Sequence, residues 1–182
     1  MQEEKTKGLK SHNFNLNKLI KESLGQALIL LMDKKPFGAI TITELCKKAG
    51  VSRMAFYGNY SSKEDLLKKV VIDIVQKLLD KIGSPFRQTT NLKWYEEMFN
   101  SIKEDEFCLR TIFRSGFKNE YLLILNELVL HDPSVSPENK YLRIIWTGGV
   151  ANVIISWIEE GLKEPPEEMA KFCFDNLSVW AK

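Results

Sequence analysis

Histidine and cysteine are scarce in this chain, at two and three residues of 182. His12 and His131 stand far apart, and neither has a His or Glu partner at the i, i+4 spacing that puts two ligands on one helix face. That excludes the common helical zinc site. Cys46, Cys108 and Cys173 are odd in number, widely spaced and each set among helix-like residues. A disulfide framework is excluded, and reduced thiols are expected. There is no glycine-rich phosphate loop and no nucleophile elbow. Cys108 as a nucleophile would need a lowered thiol pKa, and only Arg110 lies close in sequence to supply it. The chain therefore reads as a non-enzyme, with no catalytic residue, no metal and no cofactor expected.

No apolar run reaches the roughly 18 residues of a membrane span. The N-terminal stretch MQEEKTKGLK has no apolar segment behind it of the kind a secretory signal carries. A cytoplasmic protein without a membrane partner is the expectation. Strand alternation, internal repeats and low-complexity tracts are also missing, so the fold class expected is all-α. Hydrophobic content of 44% and charge of 27% fit a globular chain with a sizeable core.

What the chain does have is helical periodicity. Leu16, Leu19, Ile20, Leu24, Ala27, Leu28 and Leu31 recur at three- and four-residue spacing, which predicts an amphipathic helix that Lys34-Lys35-Pro36 ends. Short helices are expected over 41–49 and 52–58, and a long one over 62–82 with Leu66, Leu67, Val70, Ile74, Val75 and Leu78 inward. Gly83-Ser84-Pro85 is the clearest boundary signal. Beyond it lie periodic segments at 91–104, 106–117, 119–131 and 138–161, then a last helix opening at Pro166, where Glu167 and Glu168 suit the dipole. The expected organisation is a flexible tail over 1–13, a small helical domain over 14–61, a connecting helix over 62–82 and a larger helical domain over 83–182.

The stretch 41–67, TITELCKKAGVSRMAFYGNYSSKEDLL, is the most informative. Thr41 stands three residues before Glu44, the spacing of a capping box. Ser52 is a good N-cap for a second helix, and between the two Gly50 supplies the left-handed backbone of a tight turn. Two short helices so joined form a helix-turn-helix, whose second helix enters the major groove of duplex DNA. Over 52–60, Ala55 and Phe56 form the inward pair, leaving Arg53, Met54, Tyr57 and Asn59 to face out. Arg grips guanine, Asn binds adenine or phosphate, and Tyr donates to phosphate or lies on a thymine methyl. Gly58 marks either a close approach of DNA or the end of the helix, and the ending is favoured.

Ser62 and Asp65 make a second capping-box-like pair. They place Lys63 in a first turn, where a cation is electrostatically unexpected unless it serves phosphate. Charge adds weak support, since 14 Lys and Arg stand against 9 Asp and Glu over residues 1–80, and 12 against 15 over 81–182.

The joint spacing of Ile42-Thr43-Glu44-Leu45-Cys46, Ala49-Gly50-Val51-Ser52-Arg53, Phe56-Tyr57 and Tyr60-Ser61-Ser62-Lys63-Glu64-Asp65-Leu66 resembles the N-terminal signature of the TetR family of bacterial transcriptional regulators. Lys35-Pro36-Phe37 and the stretch from Gly148-Gly149 through Trp157 to Gly161 further resemble the branch that includes activators of dihydroxyacetone kinase operons. The resemblance implies DNA contacts at Thr41 or Thr43, Arg53, Tyr57, Asn59 and Lys63. Ser52 and Met54 complete the candidate set. In this family His is common where Asn59 stands, and larger residues are common where Gly58 stands.

The resemblance also implies a C-terminal domain that dimerises and often binds a small effector. Residues 141–158, YLRIIWTGGVANVIISWI, are apolar nearly all round, as expected of a helix buried both in its own core and against a partner. With the last helix they would make a four-helix interface, for which Ile145, Val153, Trp157, Phe172, Leu177 and Trp180 are the candidates; a thick monomer core is the alternative. Gly148-Gly149 suits either a close helix crossing or a ligand near the backbone. Trp94, Tyr95, Met98, Phe99, Phe107, Phe113 and Phe117 are candidate pocket residues at helical spacing, with core packing the default and a mostly apolar effector the sharper reading. The function expected is a homodimeric repressor released from a palindromic operator by such an effector. The alternative is an activator or coactivator working through a partner protein.

Overall fold

A computed structural model describes residues 2–86, 91–130 and 140–178, with side chains described over 15–86, 91–128 and 140–178. The order is α1 (Gln2–Met32), a 3-10 turn (Phe37–Ala39), α2 (Ile42–Ala49), α3 (Arg53–Tyr57), α4 (Lys63–Ile82), α5 (Leu92–Glu104), α6 (Glu106–Arg114), α7 (Lys118–Leu130), α8 (Lys140–Glu159) and α9 (Pro166–Leu177). No strand occurs among the described residues, and the fold is all-α. His131, residues 132–137 and Trp180 lie outside the described residues, as does the side chain of His12.

α1 takes in residues 2–13, where a tail is expected; no proline interrupts it, and Lys, Glu and Gln there are good helix formers. The chain divides into two compact units between Val70 and Val71, inside α4. In the first, α2 packs against α1 and α3. Leu28, Leu45, Phe56 and Leu66 are completely buried there, one from the inward stripe of each of four helices.

The second unit is built from the pairs α5 with α9, α7 with α8, α6 with α8 and α8 with α9. Its core is aromatic. The Trp146 indole N–H donates to the Tyr95 hydroxyl at 2.9 Å, with both residues buried. Trp94 and Phe86 close on Trp146 with ring centroids 5.9 and 5.3 Å away. Trp157 is buried edge-on to Phe99 at 5.3 Å, and its N–H donates to the Glu164 carbonyl. This corrects Trp157 as an interface candidate: the chain's own core encloses it.

A Cβ on Gly149 would lie 3.2 Å from Leu177 Cδ2, so the close crossing of α8 and α9 accounts for that glycine. Gly148 meets nothing within 4 Å. α8 is long and apolar enough, by length and composition, to cross a membrane, which the sequence reading does not anticipate; 44% of that stretch is buried inside the protein.

Candidate nucleic-acid interface

Local hydrogen bonds shape the corner between α2 and α3. Thr41 Oγ1 accepts from the Glu44 N–H at 3.2 Å, capping α2. Gly50 ends that helix at φ 69°, a backbone conformation that costs an L-residue roughly 1–2 kcal/mol. Val51 N–H reaches back to the Cys46 carbonyl, closing the turn. Ser52 Oγ then accepts from the Ala55 N–H at 3.0 Å and opens α3. The Glu44 carboxylate does not complete a capping box. It pairs with Lys35, and that hydrogen bond holds its acid below the usual carboxylate range.

α3 is a short helix with a sharp division between faces. Phe56 is fully buried and holds the helix down, with the Tyr57 and Tyr60 rings packed at 5.3 and 5.9 Å from it. Arg53, Met54 and Tyr57 are exposed, Met54 at 81% and Tyr57 at 49%. The Arg53 guanidinium lies 5.9 Å from the centroid of the Tyr57 ring, so the two side chains present one cationic and aromatic surface. Thr41, Thr43, Lys47, Lys48 and Ser52 are exposed on the same two helices. The lysine pair, at the end of α2, is a source of positive charge that turn spacing does not reveal.

One expected reader, Asn59, is turned inward. Asn59 is half-buried, and its side-chain amide donates to the Ala55 carbonyl at 2.9 Å, so it closes α3 instead of facing out. Gly58 is the C-cap of α3 with ordinary right-handed φ −72°, which is the expected helix end.

Lys63 has partners within the protein that its sequence position does not announce. Its ammonium donates to the carbonyls of Phe37 at 2.8 Å, Ile40 at 2.9 Å and Gly38 at 3.2 Å, and lies 4.7 Å from the Phe37 ring centroid. An ammonium has three donors, and carbonyls of the 3-10 turn and its C-cap Ile40 engage all three. Its neighbours satisfy the start of α4 as expected: Ser62 Oγ accepts from the Asp65 N–H, while the Asp65 carboxylate reaches back to the Ser61 N–H.

The candidate pocket residues are mostly core. Trp94, Tyr95, Met98, Phe99 and Phe113 are buried, Phe117 is half-buried and Phe107 is 43% exposed. Only Trp94 and Met98 of the seven line a small cavity of ≈ 20 Å³, together with Tyr121, Leu125, Trp146 and Val150 from α7 and α8. A cleft of ≈ 50 Å³ opens between α4, α5 and α6, rimmed by the pairs Lys77 with Asp105 and Lys81 with Glu104. Burial pushes the Cys108 thiol up to about 12, against a nucleophilic role, and Arg110 pairs with Glu106.

Of the interface candidates, Ile145 and Phe172 are 49% and 53% exposed, while Val153 and Leu177 are half-buried. Tyr141 and Ile144 are further exposed apolar side chains on α8.

Residues 27–70 match the profile of bacterial regulatory proteins of the tetR family, and residues 89–178 match that of a transcriptional regulator C-terminal region. An uncharacterized HTH-type transcriptional regulator, YxbF of Bacillus subtilis (strain 168), is 29% identical over an alignment of 182 residues, covering 87% of this chain and 44% of that protein. The chain thus spans less than half the length of this curated relative.

Among solved structures, a TetR transcriptional regulator from Streptococcus agalactiae 2603V is similar at TM-score 0.65 and 20% identity, over 92% of this chain and 98% of that one. The dihydroxyacetone kinase operon activator DhaS is similar at TM-score 0.61 and 15% identity, over 88% and 94%. These likenesses are of fold, and they do not single out the activator branch.

Proposed function

We infer that this chain, which belongs to the TetR family of DNA-binding transcriptional regulators, acts in the cytoplasm as a homodimeric repressor on a palindromic operator. One observation carries the reading. Phe56 anchors α3 from within, while Arg53, Met54 and Tyr57 stand exposed on the same short helix, Met54 opposite Phe56. That arrangement suits insertion into a major groove, with the exposed Thr41, Thr43, Lys47 and Lys48 of α2 available to the phosphates.

Dimerisation is supported by the apolar side chains that α8 and α9 leave uncovered, Tyr141, Ile144, Ile145 and Phe172. Two-fold pairing through these helices would present two α3 helices to two half-sites of an inverted repeat. Release by a small, mostly apolar effector requires the rings around the ≈ 20 Å³ cavity to move apart, since Trp94 and Trp146 occupy the space. That small volume is the observation favouring the second reading, an activator or coactivator that responds to a partner protein.

Selection of duplexes from random DNA by the full-length protein, followed by binding measurements across a salt series, tests the proposal. An inverted repeat bound with a steep negative salt dependence is expected. Failure to enrich any duplex would overturn the DNA-reading role of α3 and leave the partner-protein reading.

A further inference from the structure

We propose that Met54 is a specificity-determining residue that recognises the 5-methyl group of a thymine in the operator. The inference rests on the DNA-binding reading above and deepens it.

Met54 is 81% exposed, more than any other large apolar side chain among the described residues. Single exposed apolar residues are ordinary on protein surfaces, but this one has a particular setting. It lies in the same helical turn as Arg53 and on the face opposite the buried Phe56. Its neighbour one turn on is Gly58, whose N–H donates to the Met54 carbonyl and which offers no side chain to cover it. A Cβ at position 58 would itself crowd the Met54 carbonyl oxygen at 3.3 Å. The α3 surface beside Met54 is therefore bare backbone, and a groove floor can come close to it.

The chemistry of the groove then limits what Met54 can recognise. Base edges in the major groove present mainly hydrogen-bond donors and acceptors, and the thymine methyl is the one apolar group that projects from them. A thioether chain laid on a donor or acceptor desolvates that group without replacing its bond. Laid on a methyl, it buries apolar surface on both sides, and its unbranched, flexible chain adapts to the contact. Arg53, drawn toward Tyr57 at 5.9 Å, supplies hydrogen bonding on one flank and leaves Met54 as the apolar reader.

The test replaces thymines of the selected duplex, one symmetric pair at a time, by deoxyuracil, which removes the methyl and keeps every hydrogen-bonding group. Wild-type protein is expected to lose about four-fold in affinity per half-site at one such pair, the value of one buried methyl. Met54→Ala is expected to bind the thymine and uracil duplexes equally. A uracil penalty that persists unchanged in Met54→Ala overturns the inference, as does a duplex with no uracil-sensitive position. A uniform loss in Met54→Ala without uracil dependence would make Met54 a sugar-backbone contact and also overturns it. If a duplex is bound and Arg53→Ala weakens it, these outcomes refute the methyl contact alone. If no duplex is enriched, the DNA reading and this inference fall together.

Discussion

The Lys63 ammonium donates to the Phe37 carbonyl at 2.8 Å and lies 4.7 Å from the centroid of the same residue's ring. One residue of the turn thus holds the cation through its backbone and its side chain. The carbonyls of Gly38 and Ile40 complete the site. A lysine that looks misplaced at a helix N-terminus is well placed for three converging carbonyls of the segment 37–40. Lys63 therefore positions the segment leading into α2.

Replacing Lys63 by Met is expected to lower stability by about 2 kcal/mol, the range for hydrogen bonds to a charged group. Its operator binding should keep the wild-type salt slope, whereas loss of a phosphate contact reduces the slope by about 1. Urea melts and a salt titration on the selected duplex separate the two roles. A reduced slope with unchanged stability would return Lys63 to the phosphates.

Tyr95→Phe removes the acceptor of the buried Trp146 N–H. An orphaned buried donor costs about 1–3 kcal/mol, so the urea midpoint should fall with little change in the m-value. An unaltered midpoint would show that the indole finds another acceptor.

Ile145→Glu and Phe172→Glu place charges on the exposed apolar surface of α8 and α9. Each should shift a sedimenting dimer toward monomer while far-UV circular dichroism keeps its helical signal. A wild type that sediments as a monomer at micromolar concentration would contradict the interface.

Alkaline pH should destabilise the second unit. Burial raises Cys108 and Cys173 from 9.0 to about 12, and raises Tyr95 from 10.0 to about 12. The fold therefore favours the neutral, protonated forms. Their contribution is fully present below pH 9 and is lost as pH rises toward 12. Urea midpoints measured from pH 8 to 11 should decline across that window, and the two thiols should react slowly with disulfide reagents until the protein unfolds. Rapid labelling of both in the native state would be the contrary result.

Much of the interface was legible beforehand because its devices are local. The Thr41 and Ser52 caps, the left-handed Gly50 and the helix end at Gly58 each involve residues no more than five apart. The Asn59 amide also bonds locally, four residues back, but one side chain can serve either solvent or a helix end, and spacing does not choose between them.

The sequence alone determined the helical period, the turn and the inward anchor Phe56, since each depends on hydrogen bonds or stripes within one or two helical turns. Only the tertiary structure decided where long-range partners lie. The carbonyls that hold Lys63 are 23–26 residues away, and Tyr95 and Trp146 meet across 51 residues. The chain must fold before such groups come within hydrogen-bonding distance, so no local pattern announces them. For the same reason Trp157 became core, packed on Phe99 58 residues before it in the chain.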